Sequence, residues 1–249
     1  MKFQKALILY EKFLKNSKLY KKNRKFFYEY AIEKSKNWTN SKFKEKLSWY
    51  LKLKKENKAL ISFKNLDKLD GWILEKNNKR IAHKSGKFFS IIGISTINAG
   101  REVNSWDQPF VKQTNLNGGI IGLVRKNING VPHYLVEAKF EPGNYNKIQI
   151  SPSVQATYSN INKIHKGKGN KILSFYFKNN YSTISKKLVT EDGGRFYKKR
   201  NLHWIINTKK RKKLKLSKNF KWLTLWEITE FIKKGSIVSP HLRSILSLI

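Results

Sequence analysis

Across the stretch 132–139, strand alternation sets His133, Leu135, Glu137 and Lys139 on one face and Tyr134, Val136 and Ala138 on the other. A carboxylate and an ammonium two residues apart on a mostly apolar strand are costly to bury unless they pair or act. The pair reads as a structural ion pair or as a functional one. The turn that follows, Glu141-Pro142-Gly143-Asn144, holds a second carboxylate just past the strand end, a place that suits a ligand site. Next, 149–160 (QISPSVQATYSN) crowds uncharged donors and acceptors into a Lys-rich chain. Gln149, Ser151, Gln155, Thr157 and Asn160 can read sugar hydroxyls and base edges without the desolvation cost of full charges, and turn chemistry also accounts for several of them.

Three further segments carry chemistry-bearing side chains. His83 precedes Gly86 and an apolar run, while 101–109 (REVNSWDQP) joins Arg101 to Ser105, Trp106 and Gln108. Taken singly, a His or a Trp is more often structural than reactive. In 191–196 (EDGGRF), Arg195 could meet a diphosphate and Phe196 a base, or the segment could be a tight turn before a strand.

The elements that must position these residues follow from periodicity. Phe3, Ala6, Leu7, Tyr10, Phe13 and Leu14 recur at helical spacing, Phe27, Tyr30 and Ala31 suggest a second helix, and Phe43, Leu47, Tyr50 and Leu51 a third behind Ser41 as N-cap. Residues 1–65 are expected to form a helical cap or dimerisation segment, and 66–249 the main module. From about Trp72, short apolar runs at 88–94, 119–124, 134–138, 148–150, 172–177 and 202–206 read as strands, with a hairpin at Asn129-Gly130. Thr224 and Glu227 form a capping box, Gly235 a stop, and Ser239-Pro240 opens a last helix. The fold class is α+β, with a mixed or largely antiparallel sheet flanked by helices.

Composition bounds the function. The 249 residues include no cysteine, which excludes disulfides, thiolate ligands and a cysteine nucleophile. The net charge of +37 suggests a polyanionic partner, yet only eight of the 53 basic residues are Arg and the lysines are scattered along the chain, unlike a dedicated nucleic-acid surface. The one dense run, Lys209 to Lys213, reads as a solvated loop. A Nudix-type hydrolase would need a carboxylate cluster for Mg²⁺, and the 16 acidic residues form none in sequence. The apolar run at 6–10 is cut short by Glu11 and Lys12, and no stretch approaches a membrane span, so a cytoplasmic address is expected.

Read in order, the segments HKSGKFFSIIG (83–93), REVNSWDQP, LVEAKFEPGN (135–144), QISPSVQATYSN and EDGGRF, with WLTL (222–225), resemble the nucleotide-diphosphohexose 2,3-dehydratases. That resemblance implies a Nudix-like fold without the Nudix hydrolase motif, and loss of water across C2 and C3 of a nucleotide-linked 4-keto-6-deoxyhexose, with neither metal nor redox cofactor. For that chemistry we expect, from residue type and place, His83 or Glu141 as base, Lys139 as enolate stabiliser, and Glu137 as acid or as the group that tunes Lys139. Arg101 and Arg195 would hold the diphosphate, Trp106 or Phe196 the base, and Ser105, Gln108, Gln149, Ser151, Gln155, Thr157 and Asn160 the nucleoside or sugar. Thymidine diphosphate is the implied nucleotide. Family members usually carry two tandem modules and this chain has one, which implies a homodimer. A 3-ketoreductase that consumes the unstable product is the expected pathway neighbour. The alternatives are an inactive nucleotide-sugar-binding homologue and a basic nucleic-acid-binding protein.

Overall fold

A computed structural model describes residue 8 and residues 40–129, 131–161, 172–176, 181–208 and 216–249. The helices expected around Phe3 to Leu14 and Phe27 to Ala31 fall almost wholly outside that set, as does the Lys209–Lys213 run. The class is α+β, with two sheets and flanking helices.

A four-stranded antiparallel meander comes first: β1 (Trp72–Glu75), β2 (Arg80–His83), β3 (Ser90–Thr96) and β4 (Trp106–Lys112). The turn between β1 and β2 is held by Arg80 on Glu75 at 2.7 Å. The larger sheet takes the order β11-β6-β5-β10-β9, from β5 (Gly119–Ile128), β6 (Val131–Phe140), β9 (Tyr181–Thr190), β10 (Arg200–Thr208) and β11 (Phe220–Leu223). β5 and β10 run parallel; the remaining pairs are antiparallel.

The β5–β6 hairpin turns with Asn129 at φ 51°, the left-handed region that Asn tolerates. It then forks. β5 pairs β6 only from Val124 to Ile128, and beyond that point β7 (Ile148–Pro152) pairs β6 while β8 (Val154–Ala156) pairs β5. Ser153 sits buried at the fork, where its Oγ accepts from Val124 N at 2.9 Å and donates to Gly122 O at 3.1 Å. That hydroxyl replaces the ladder bonds lost where the strands separate.

Apolar side chains alternate across both faces of this sheet. Ile121, Leu123, Tyr134, Val136, Ala138 and Ile205 pack under three helices: α1 (Asn40–Glu56), α4 (Leu225–Lys233) and α5 (Pro240–Leu246). Ile120, Val124, Leu135 and Ile206 pack on the opposite side with α3 (Leu173–Tyr176), and the short α2 (Tyr158–Ile161) follows β8. Phe231 of α4 meets Phe43 and Tyr50 of α1 edge-on at 5.0 and 6.1 Å, so α1 shares the core of the large sheet. Tyr50 also donates to Ile148 O at 3.0 Å.

Several expectations need correction. Residues 172–177 are helical at 173–176 because Tyr176 docks over Gly122, where a Cβ would come within 2.6 Å of the ring, and Tyr176 Oη donates to Trp204 O at 3.2 Å. Tertiary docking overrides the apolar pattern there. Ser41 lies inside α1, which already includes Asn40. Leu51 is half exposed, and Leu53 completes the buried stripe. The Thr224–Glu227 capping box and the Ser239 N-cap with Pro240 form as read.

Candidate functional site

The fork between β5 and β6 brings one group of the expected residues together. Glu137 and Lys139 leave β6 two residues apart, and cross-strand partners on β7 place Ser151 opposite Glu137 and Gln149 opposite Lys139. Glu141 follows the strand end. Its Oε1 lies 2.6 Å from Lys139 Nζ, and Gln155 of β8 donates to the same oxygen at 3.5 Å. Burial pushes the Glu137 carboxyl above its ordinary value, the Lys139 ammonium pulls it back, and Glu141 adds to the rise. The arrangement therefore offers a carboxyl inclined to keep its proton, an ammonium, and a carboxylate within reach of one another. Gln149 is tied elsewhere, donating to Ser236 O at 2.9 Å, and Ser151 is 1% exposed. Thr157 bonds Ser159 Oγ at 2.9 Å and accepts from Asn160 N at 3.4 Å, which fastens the turn into α2.

A second group forms where the small sheet meets the β9–β10 connection. Trp106 Nε1 donates to Gln108 Oε1 at 3.0 Å, and Gln108 Nε2 donates to Gly194 O at 3.0 Å. Arg101 pairs with Glu102 at 3.0 Å and lies 5.8 Å from the Trp106 ring centroid. Arg195 bonds the same Gly194 carbonyl, and Ser105 is exposed beside Trp106. Backbone bonds from Val111 N to Arg195 O and from Tyr197 N to Val111 O seal this junction.

His83 sits on β2 of the small sheet, edge-on to Trp72 at 5.7 Å and to Phe88 at 4.6 Å. Its Nδ1 meets Ser85 Oγ at 2.8 Å. None of these contacts reaches the Lys139–Glu141 pair.

Sequence reasoning missed a third group. Glu191 ends the β9 region, and its Oε1 takes His241 Nε2 at 3.1 Å, Lys199 Nζ at 3.5 Å and the Asn201 carboxamide. The bond from His241, then the charges of His241 and Lys199 and the bond from Asn201, hold this half-buried carboxyl down at about 2 against the opposing effect of burial. His203, two residues beyond Asn201 on the same strand, is 3% exposed, and its Nδ1 lacks a partner among the described residues. Burial first, and then the charge of His241, lower its tendency to protonate. The only sequence signal was Glu191 itself; no pattern links it to His241, 50 positions on.

Sheet register sets the third group in one row with the first. His203 of β10 stands opposite Ile121 of β5, which stands opposite Gln155 of β8, the residue that reaches Glu141. Gly119 lies between the Asn201 carboxamide and the Ala156 carbonyl, and a Cβ there would fall 2.0 Å from Asn201 Oδ1. Ile121, the residue between His203 and Gln155 on this register row, is buried in the apolar core and separates the two polar groups. Beside Glu191 lies an open cleft of about 650 Å³, lined among others by Phe110, Leu116, Phe196, Lys199 and Arg200.

The family model described as NDP-hexose 2,3-dehydratase matches residues 43–249. Three curated relatives are named dTDP-4-dehydro-6-deoxy-alpha-D-glucopyranose 2,3-dehydratase. Those of Saccharopolyspora spinosa and Amycolatopsis orientalis are 32% and 35% identical over 74% and 72% of this chain. That of Streptomyces violaceoruber is 28% identical over 80% of it. The chain spans less than half of each relative, 37%, 38% and 45% of their lengths. A solved C. elegans Ap4A hydrolase aligns at 12% identity and a TM-score of 0.33, over 56% of this chain and 95% of that one, a likeness too slight to carry an argument. Among the described residues no helix is long and apolar enough to cross a membrane.

Proposed function

Because the chain belongs to the NDP-hexose 2,3-dehydratase family, we propose that it removes water across C2 and C3 of a nucleotide-linked 4-keto-6-deoxyhexose, with thymidine diphosphate as the nucleotide. The observation that carries the reading at residue level is the Glu137, Lys139 and Glu141 group at the fork, the acid, cation and base that such an elimination needs.

The chemistry runs in two proton transfers. The C4 ketone acidifies the C3 hydrogen, and a base takes it while the electron pair moves into an enolate on the C4 oxygen. Lys139 would steady that oxygen by its charge. When the pair returns, the C2–O bond breaks, and the departing hydroxyl takes a proton from the acid and leaves as water. The resulting enol becomes the 3,4-diketo-2,6-dideoxy sugar. Glu137, whose burial favours the protonated form, suits the acid. Glu141 suits the base better than His83, because it shares an ion pair with Lys139 whereas the His83 ring is packed in the small sheet. Neither a metal nor a redox cofactor enters these steps.

The remaining parts of the reading are that residues 66–249 form the Nudix-like catalytic module, that two chains pair as a homodimer, that the protein works in the cytoplasm, and that a 3-ketoreductase consumes its product.

The test incubates the purified chain with thymidine-diphospho-4-keto-6-deoxyglucose and follows, by mass spectrometry, the loss of one water and release of nucleoside diphosphate. Turnover without added metal or nicotinamide is expected. Binding without turnover, with a full-length relative active in the same assay, would replace this reading with an inactive nucleotide-sugar-binding homologue.

A further inference from the structure

Between α1 and β1, residues 57–65 lie outside helix and strand, and the apolar side chains from Leu60 to Leu66 join neither core. Leu60 is 95% exposed, Phe63 is fully exposed, and Ile61 and Leu66 are more than half exposed. The segment is nevertheless fixed at both ends through its backbone. Ala59 N donates to Asn57 Oδ1 at 3.1 Å, and Ala59 O accepts from Lys147 Nζ at 3.2 Å. At the other end Lys68 N donates to Asn65 O at 3.0 Å and Leu69 N to Leu66 O at 3.4 Å, just ahead of β1. These bonds set the path of the chain without withdrawing its apolar side chains from water. A run of apolar groups held in water in this way marks an interaction surface.

The charges of the same stretch decide what covers it. In a chain of net charge +37, positive surface by itself marks nothing. Here, however, Lys58, Lys64 and Lys68 interleave with the apolar residues, and no carboxylate stands from 57 to 66. A second copy of the chain would bring these like charges together and add to the repulsion between two strongly basic molecules. A nucleic acid would suit the lysines, yet Leu60, Ile61 and Leu66 have no ring face on which a base can stack. An anionic lipid surface suits both kinds of side chain, since its headgroups attract the lysines and its acyl chains accept the apolar groups. We propose that residues 58–68 dock the protein peripherally on an anionic lipid bilayer. Leu60 and Phe63 enter the boundary between headgroups and acyl chains, and Lys58, Lys64 and Lys68 lie against the headgroups. The contact is interfacial and does not depend on the dehydratase reading.

The chain has no cysteine, so Phe63→Cys can carry a single environment-sensitive fluorophore. The labelled full chain is titrated at about physiological salt, where the general field is screened, with vesicles of three parts phosphatidylcholine to one part phosphatidylserine and with vesicles of phosphatidylcholine alone. The emission should shift to the blue with the mixed vesicles and much less with the neutral ones. In co-sedimentation of the unlabelled chain with the mixed vesicles, the double variant Leu60→Ser, Phe63→Ser should bind about tenfold more weakly or worse. Phe63→Leu, which keeps an apolar group, should stay within about threefold of wild type. Lys58→Gln with Lys64→Gln should weaken binding by about tenfold. Leu188→Ser, at a half-exposed apolar position on β9, should leave it unchanged. Circular dichroism checks that each variant folds, and Phe63→Leu with the labelled chain decides the matter if the double variant does not. Unchanged affinity in the double variant, or equal weakening by Leu188→Ser, would mean that the overall field alone binds the vesicles and would overturn the proposal. A fluorophore already blue-shifted before vesicles are added would overturn it as well, because the chain itself or a second copy then covers the position. So would a blue shift with single-stranded RNA and none with the mixed vesicles, which would make the segment a nucleic-acid contact.

Discussion

Glu227 carries a cost that a single substitution should expose. It is the third residue of α4 and is fully buried, with Oε2 accepting from Thr224 N at 2.9 Å and Oε1 lacking a partner among the described residues. Burial raises its carboxyl from 4.5 to about 7; the backbone bond from Thr224 and the Lys46 charge oppose the rise, and Glu45 adds to it. A folded value above the unfolded one means that the folded chain holds the proton more tightly. The stability this gives is complete below about pH 4.5 and is lost as pH rises through 7. At about 1.4 kcal/mol per pH unit, the full interval is worth about 3 kcal/mol. Glu227→Gln keeps a carbonyl for Thr224 N and cannot ionise. The variant should therefore exceed the wild type by about 1 kcal/mol at pH 5 and by about 3 kcal/mol at pH 8.5, read by urea unfolding followed through tryptophan fluorescence. Other groups titrate in both proteins and cancel in the difference. A gap that stays constant within about 0.5 kcal/mol across that range, or a Gln variant less stable than wild type at pH 8.5, would refute the reasoning.

Other outcomes follow from the same geometry. Lys139→Met should lower kcat for the keto-sugar by about 100-fold or more with a smaller change in KM, since the cation is proposed to act on charge that develops during reaction. Gly122→Ala should destabilise the fold by about 1–3 kcal/mol in thermal unfolding, because its Cβ would come within 2.6 Å of the Tyr176 ring. Glu191, held down at about 2, gives stability that is present above its usual 4.5 and lost as pH falls toward 2. Glu191→Gln should accordingly flatten the acid side of the unfolding profile by up to about 3 kcal/mol.

The elements whose signals are local were legible in the chain. The capping box at Thr224 and Glu227 is a bond between neighbours three residues apart, and alternation along 132–139 correctly separates Tyr134, Val136 and Ala138 from Leu135. β9 was not legible, because it lies at the sheet edge paired only to β10, and much of its polar face needs no apolar period. The helix at 173–176 was misread as a strand because its apolar run is as short as a strand, and docking over Gly122 decides its conformation.

For the candidate site, spacing along β6 put Glu137 and Lys139 on one face, with Glu141 just past the strand end, since residues two apart on a strand share a face whatever the rest of the chain does. That Gln155 joins them depends on the fork at Ser153, and that Glu191 meets Lys199, Asn201 and His241 depends on β10 pairing with β5 and on α5 packing across both. The local periods of the chain dictate which side chains lie side by side on one element. Which elements then face one another is settled by burying both faces of a single sheet at once, and no local stretch of sequence encodes that.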